Sequence, residues 1–194
     1  MINTRTADCL DRILSVALVD LCSFPDEERC VVAPIEDGQG TQIPSAQFQS
    51  VTCSIAAFGF RIVVFVTFID AGTSVQLFRR RFHFPEQALD SEVMAEGGAE
   101  FINRACGTVK GALTPLFQHT GMSTPFFLDA RCRIQIPEMR PDHARSFIVS
   151  SAADAPPLIE VSYCVCADPA LPLDFSIEVP DVVEDANAGE LEFF

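Results

Sequence analysis

The stretch EFINRACGTVKG at residues 100–111 is the most informative part of this 194-residue chain. Read as a helix, it has one side that carries polar side chains and glycines and another that is apolar. The first side includes Glu96, Glu100, Asn103, Gly107 and Gly111. The apolar side includes Ile102, Ala105, Cys106, Val109, Ala112, Leu113 and Leu116. The pattern predicts a helix that packs through its back and displays its front.

The front of this predicted helix combines two functional groups with a strip that lacks side chains. Glu100 and Asn103 are three residues apart, so their side chains are neighbours on one face. Gly107 and Gly111 are one turn apart, and glycine lets another backbone approach closely. These features indicate a docking face with a carboxylate and a carboxamide at its edge. Taken alone, a Glu and an Asn on a helix are more often a solvated surface.

The residues that flank this pair decide between the two interpretations. Glu100 and Asn103 are followed, after twenty-one residues, by Pro125, which Ser123-Thr124 precede. This spacing resembles the signature of the CheX/CheC/FliY family of chemotaxis phosphatases, in which Asp or Ser, then Glu, then Asn, then Pro recur at these intervals. The departure is Glu96, which stands where the family has Asp or Ser. One copy of the signature is present, which is most similar to the single-site CheX branch.

The resemblance implies a function and a role for each residue. The chain would dephosphorylate the aspartyl phosphate of a CheY-type response regulator, with Asn103 orienting the attacking water and Glu100 pairing with a Lys of the regulator. Glu96, Gly107 and Gly111 would contribute to docking, and residues 123–125 would be structural. The chain would need no cofactor of its own, because the regulator supplies Mg²⁺. The single-site members of the family also imply a homodimer.

Two other classes of function remain open at this point. The chain could be a non-catalytic module that binds a response regulator or a flagellar-switch component, which Glu96 and the acidic surface leave possible. A small-molecule enzyme has no polar constellation to support it. His83, His119 and His143 are far apart in sequence, so we expect no metal site among them.

Composition restricts the partners. The formal net charge is −14, which argues against binding to nucleic acid or to anionic membrane surfaces. The longest apolar run, residues 62–69, is too short to span a bilayer as a helix. The N-terminal residues 1–8 lack the basic and apolar regions of a signal peptide. We therefore expect a soluble, cytoplasmic protein.

The eight cysteines fit the same compartment, since most lie inside apolar segments and none forms a Cys-x-x-Cys pair. We expect them to be reduced and buried, and to behave as small hydrophobic residues. The 17 phenylalanines, with one tyrosine and no tryptophan, predict a core rich in phenylalanine. The basic run Arg79-Arg80-Arg81 is expected to be a solvated face, or alternatively a contact for an acidic partner.

Hydrophobic periodicity predicts an α+β fold, with an antiparallel-rich sheet covered by two or three helices. The first predicted helix is capped by Thr6 or Asp8 and runs to about Leu21. The second runs from Glu86 to about Gln118, with a break or kink expected at Gly97-Gly98 and a bend at Pro115. The predicted strands are residues 51–58 and 61–69, joined as a hairpin, then 126–136, 146–149, 158–167 and a weaker 171–179.

The remaining segments receive less definite assignments. Residues 73–82 are ambiguous between a short helix and the end of a strand, and residues 36–46 are predicted to be a loop or an edge segment. We expect residues 1–180 to form one CheX-like domain. The acidic residues 181–194 are expected to be a mobile tail.

Overall fold

The structure, a computed structural model, describes residues 2–25, 28–35, 49–171 and 173–177. The helices of this part are α1 (Thr4–Cys22), α2 (Ala71–Phe82), α3 (Asp90–Leu113) and a 3₁₀-helix at Ala130–Met139. The strands are β1 (Val31–Pro34), β2 (Gln49–Ala57), β3 (Phe60–Phe68), β4 (Gly121–Met122), β5 (Phe126–Asp129), β6 (His143–Ser150) and β7 (Pro157–Ala167).

Within the described residues, seven strands form one antiparallel sheet in the order β1-β6-β7-β3-β2, and β4 and β5 both pair with the outer edge of β2. Residues that alternate along the strands face α1, α2 and α3 and form the main core with them. The other face of the sheet carries a smaller cluster, Val63, Phe65 and Cys164, against which Leu128 and Ile136 pack. The predicted antiparallel sheet covered by helices is confirmed.

The hairpin of β2 and β3 is confirmed at the centre of the sheet. The two strands pair from Ser50 with Thr67 to Ala57 with Phe60, and Gly59 in the turn has φ +91°. A positive φ is easily reached by glycine because it has no Cβ. Every second residue of β3 from Phe60 to Phe68 enters the main core, as the strand period requires.

Helix α1 begins earlier than the sequence predicted. The N-cap is Asn3, whose side-chain oxygen accepts a hydrogen bond from the Thr6 backbone N at 2.8 Å. Neither Thr6 nor Asp8 caps the helix, so that prediction is wrong; Asn is as good a cap as either and lies nearly one turn upstream. Thr6 is instead buried, and its hydroxyl bonds the backbone N and O of Phe175, both at 2.9 Å.

Phenylalanine side chains join α2, α3 and the sheet, as the composition predicted. The ring of Phe78 in α2 is 5.1 Å from that of Phe68 in β3 and 6.0 Å from that of Phe101 in α3. Phe78 and Phe101 are fully buried. Such edge-to-face and tilted contacts add to the free energy gained from burial, and they fix α3 against the sheet.

The ambiguous segment at residues 73–82 belongs to helix α2. Asp70 caps it, since its carboxylate accepts hydrogen bonds from the backbone N of Gly72 at 3.0 Å and of Thr73 at 3.3 Å. Its buried residues, Ser74, Val75, Leu77 and Phe78, recur at helical spacing on one side. The strand alternative is therefore wrong.

Helix α3 is continuous, which corrects two predictions. It passes through Gly97-Gly98 without a break, because both glycines face the core and their missing side chains make room for aromatic rings. It ends at Leu113, with Thr114 as its C-cap, so Pro115 follows the helix and does not bend it.

The later strand predictions need three changes. Of residues 126–136, only Phe126–Asp129 form a strand, and the 3₁₀-helix follows because the Asp129 side chain caps it by accepting from the Arg131 backbone N at 2.9 Å. Residues 173–177 form no strand, apart from a single bridge between Leu173 and Ile2. Strand β6 starts three residues before the predicted 146–149.

Several predictions fall on residues outside the described part of the chain. The loop at 36–46, the end of the weak strand at 178–179 and the acidic tail at 181–194 all lie there. The domain boundary at residue 180 and the mobility of the tail stay predictions.

Candidate functional site

The back of α3 is packed as the sequence predicted. Phe101, Ile102, Ala105, Cys106 and Leu113 are fully buried in the main core. Cys106 is therefore inside the protein, in keeping with the expectation that the cysteines are buried like small hydrophobic residues. The one departure is Leu116, which lies beyond the end of the helix and is 47% exposed.

The front of α3 gathers all five predicted site residues on one accessible face. Glu96 and Gly111 are exposed, and Glu100, Asn103 and Gly107 are half-buried. They span about four turns of one helix, so the order along the axis is two carboxylates, the carboxamide and then the glycines. The helix itself thus positions the functional groups, and its rigid back holds them against the sheet.

The glycine strip is open. A Cβ added at Gly107 or at Gly111 would meet no described atom within 4 Å. The absence of side chains at these positions therefore serves no contact within the described part of the chain. A partner backbone could approach α3 along this strip.

The Asn103 carboxamide is available for a ligand. It makes no hydrogen bond to any residue that the structure describes. A side-chain amide has an acceptor oxygen and a donor NH₂ group, so it can bind one water molecule or two polar groups at once. Asn103 is thus held in place by its helix while its polar atoms remain free.

Glu100 has a partner that the sequence analysis missed. The Nε of Arg104, one turn along α3, donates to Glu100 Oε1 at 2.7 Å. The same guanidinium group lies over the ring of Phe82 from α2, 5.0 Å from its centroid. The Glu-Arg spacing of four residues is a known helical pair and could have been found in the sequence; the contact with Phe82 could not, because it joins two helices.

Ser123 connects the region after α3 to the sheet. Its backbone N donates to the Ser54 oxygen at 2.9 Å, and its hydroxyl accepts from the Ser54 backbone N at 3.0 Å. The Cys53 thiol also donates to the Ser123 backbone oxygen at 3.4 Å. These contacts fit the structural role that the resemblance implies for residues 123–125.

Arg79 and Arg81 do not form the solvated face that the sequence predicted for the arginine run, whereas Arg80 is exposed as predicted. Arg79 donates to the backbone oxygens of Pro85 and Ala88 and pairs with Asp90, so it fixes the connection between α2 and α3. Arg81 donates to three carbonyl oxygens at the C-terminal end of α1, those of Asp20, Leu21 and Ser23. These carbonyls lack helical partners, which explains the attraction.

The histidines and cysteines differ in exposure and in their hydrogen-bond partners. His83 and His119 are exposed, and His143 Nε2 lies 2.9 Å from the hydroxyl of Tyr163 and 3.2 Å from Asp11 Oδ1. All eight cysteines are free thiols, five of them buried. Among the described residues, no group of three or more His, Cys, Asp or Glu could hold a metal ion, and no helix is both long and apolar enough to cross a bilayer.

Comparison with solved structures identifies the fold. CheX of Borrelia burgdorferi, solved as a CheX-CheY-BeF₃-Mg²⁺ complex, aligns with 82% of this chain and 96% of its own at a TM-score of 0.52 and 18% identity. This chain has the CheX fold. CheX of Vibrio vulnificus aligns with 81% of this chain and 97% of its own, at a TM-score of 0.49 and 15% identity. No protein-family model matches the chain, and a search of curated proteins finds no relative.

The CheX fold agrees with the resemblance found in the sequence. The alignment with the Borrelia protein extends over nearly the whole of that protein, so the likeness concerns the complete fold and not a common substructure. At 18% identity it establishes architecture alone. The roles of Glu100 and Asn103 in the CheX-like fold must therefore be argued from their own geometry.

Proposed function

We propose that this chain is a phosphatase that removes the phosphoryl group from the phosphorylated aspartate of a CheY-type response regulator. Asn103 would orient the attacking water, and Glu100 would pair with a Lys of the regulator. The observation that carries the proposal is the front of α3, where an unpartnered carboxamide stands one turn from a carboxylate beside an open glycine strip. This arrangement occurs on a CheX fold.

The proposed dephosphorylation requires only a few positioning groups from this chain. The water oxygen attacks phosphorus while the bond between phosphorus and the aspartyl oxygen breaks, giving inorganic phosphate and a free carboxylate. Such transfers depend mainly on positioning and on electrostatic stabilisation. The oxygen of the Asn103 amide can accept a hydrogen bond from the water and so hold it in line with the phosphorus.

Glu100 retains the capacity to bind a Lys. A carboxylate offers about four acceptor positions on its two oxygens, and Arg104 contacts Oε1 through its Nε. An ammonium group from the regulator could therefore still bind the same carboxylate. Such a charge-assisted contact would fix the register in which the phosphoryl group meets Asn103.

The Borrelia CheX was solved with CheY, BeF₃ and Mg²⁺, which supports a receiver domain as the partner. Mg²⁺ bound to that partner would neutralise charge on the phosphoryl oxygens, and the present chain would add Asn103 and Glu100. We also infer a cytoplasmic protein, since free thiols are the normal state of cysteines in that compartment. The homodimer implied by the resemblance stays part of the proposal.

A second function is favoured by two features of the front of α3. Arg104 already engages the carboxylate that would have to meet the regulator's Lys, and Glu96 occupies the position where the signature has Asp or Ser. Both features suit a module that binds a receiver domain without catalysis. The regulator would then dock on the same face of α3 and keep its phosphoryl group.

One experiment separates the two functions. The decay of a phosphorylated CheY-type receiver is measured alone, with this protein, with Asn103→Ala and with Thr108→Ala as an exposed control on the same helix. We expect faster decay with the protein and the control, and a loss of about 100-fold or more of that acceleration with Asn103→Ala. Binding without acceleration would favour the module, and loss through unfolding of Asn103→Ala would contradict the assigned role.

A further inference from the structure

A pair of cysteines far from the face of α3 has no part in the proposed function. Cys22 is the last residue of α1, and Cys30 comes directly before β1. Their thiols lie close enough for each to shift the pKa of the other, and the Cys30 Sγ donates to the backbone oxygens of Val19 at 3.7 Å and Leu18 at 3.9 Å. Both line a surface cavity of about 360 Å³, together with Phe24, Leu77 and Arg80.

The two thiols of this pair differ in acidity. The neighbouring Cys22 thiol lowers the pKa of Cys30 to about 7, against the opposing effect of burial, and Ser23 and the charge of Arg29 lower it further. The same thiol contact and burial raise the pKa of Cys22. Near neutral pH a substantial fraction of Cys30 is therefore thiolate, which is the nucleophilic form of cysteine.

A second pair has the same chemistry without the cavity. Proximity of Cys53 in β2 and Cys106 in α3 lowers the pKa of Cys53 to about 7 and, together with burial, raises that of Cys106. Both residues have 0% exposure in the main core. In each pair, therefore, one thiol has a lowered pKa and the other a raised pKa. The pairs differ in their accessibility to solutes, since only Cys22 and Cys30, of these four, line the cavity.

We propose that Cys22 and Cys30 form a site of reversible oxidation by hydrogen peroxide or small hydroperoxides that enter the cavity. The Cys30 thiolate attacks a peroxide oxygen and the O–O bond breaks, which gives a sulfenic acid and, after protonation, water or an alcohol. The Cys22 sulfur then attacks the Cys30 sulfur and loses its proton, and a second water leaves as the disulfide forms. Two thiols are oxidised and one peroxide is reduced.

The test treats the native full-length protein with graded hydrogen peroxide and then blocks free thiols with an alkylating reagent. Digestion with trypsin together with endoproteinase Glu-C separates Cys30 from Cys53, because Glu36 lies between them. Mass spectrometry then gives the oxidation rate of each cysteine. We expect a peptide that links Cys22 to Cys30, forming at least about tenfold faster than Cys53 and Cys106 react, and full recovery of both thiols with dithiothreitol.

Two controls show whether the fold causes this selectivity. In concentrated urea the two pairs should react at similar rates, since access is then equal. In Cys22→Ser, Cys30 should stop at the sulfenic acid and be trapped by dimedone. Equal rates for both pairs in the native protein, earlier reaction of Cys53 and Cys106, or sulfenic acid on Cys30 without a disulfide in the unaltered protein would each overturn the proposal.

Discussion

Helix α3 carries two glycine pairs, Gly97-Gly98 near its start and Gly107 with Gly111 near its end, and their surroundings are opposite. A Cβ at Gly97 would lie 2.6 Å from ring atoms of Phe78, and both glycines of the first pair are buried. A Cβ at either glycine of the second pair would meet no described atom within 4 Å.

The difference shows that glycine serves two purposes in one helix. Each glycine lowers the stability of a helix interior by about 0.5–1 kcal/mol relative to alanine. For the first pair, close packing against the phenylalanine cluster offsets that cost within the described fold. For the second pair no such contact exists there, and the docking partner of the proposed function would supply the compensation.

The strongest test of this contrast is Gly97→Ala. The new methyl group would collide with Phe78, which is fully buried among other aromatic rings and has no room to move. We expect the free energy of unfolding to fall by about 1–3 kcal/mol, as for other overpacked core sites. Urea denaturation followed by circular dichroism measures it.

Gly98→Ala serves as the graded control for that change. Its Cβ would lie 3.0 Å from the ring of Phe68 and 3.2 Å from Val51, so a smaller loss is expected than at position 97. An unchanged free energy of unfolding in Gly97→Ala would show that packing against Phe78 does not require glycine at this position. The contrast between the two glycine pairs would then disappear.

The second test places a large side chain on the open strip. We expect Gly107→Leu to leave the fold intact, because a Cβ at this position points into space that no described atom occupies, on the accessible face of α3, and circular dichroism of the variant checks this. If a receiver domain docks there, the side chain blocks its approach, and we expect the affinity to fall about tenfold or more, equivalent to about 1.4 kcal/mol. Titration with a BeF₃-activated receiver domain measures it.

Ser91→Leu is the matched control for this test. Ser91 is exposed in the first turn of α3, far along the axis from the strip, so the same leucine should not change the affinity. If Gly107→Leu and the unaltered protein bind the receiver domain with equal affinity, the glycine strip is not part of the docking surface. The role of Asn103 is then still tested by the decay assay.

The sequence predicted those parts of the fold that depend on local periodicity. The apolar stripe of α1, the hairpin of β2 and β3, and strand β7 all have patterns that are complete within one element. The order of the predicted helices and strands along the chain indicated an antiparallel sheet covered by helices. The N-cap of α1 was missed because Asn3 and Thr6 are both good capping residues, and packing of Thr6 against Phe175 decides between them.

The errors share a different physical cause. Glycine weakens a helix locally, so the sequence predicts a break or kink at Gly97-Gly98, whereas the decisive neighbours, Phe68 and Phe78, come from other elements. Arg79 and Arg81 of α2 were read as solvated because their carbonyl partners lie at the end of α1 and in the connection to α3. Contacts between distant segments leave no periodic signal.

The candidate site was predictable to the extent that it lies on one helix. Glu100 and Asn103 were found by their spacing, and the structure places both on the accessible front. Arg104 belongs to the same helix and was overlooked, although a Glu followed four residues later by Arg is a visible pattern. Phe82, which supports Arg104, depends on the packing of α2 against α3.

A smaller effect is expected from Gly107→Ala. With no described atom within 4 Å and helical backbone on both sides, the methyl group should raise the free energy of unfolding by about 0.5–1 kcal/mol. Thermal or urea denaturation measures it, and Gly111→Ala should behave alike. A destabilised protein would show that the strip is covered by other atoms and is closed to a partner.

The smallest expected effect concerns the residue that holds Glu100. Arg104→Ala removes an ion pair whose side chains are 53% and 40% exposed, so stability should fall by only about 0.3–0.5 kcal/mol. If Arg104 keeps the carboxylate in the orientation that meets the regulator's Lys, KM for the phosphorylated receiver should rise a few-fold with kcat unchanged, since binding is lost equally before and during the reaction. Arg104→Lys should restore part of the loss, because it keeps the charge without the planar contact to Phe82.

A fall in KM in Arg104→Ala would contradict this role of Arg104. It would mean that Arg104 competes with the regulator's Lys for Glu100.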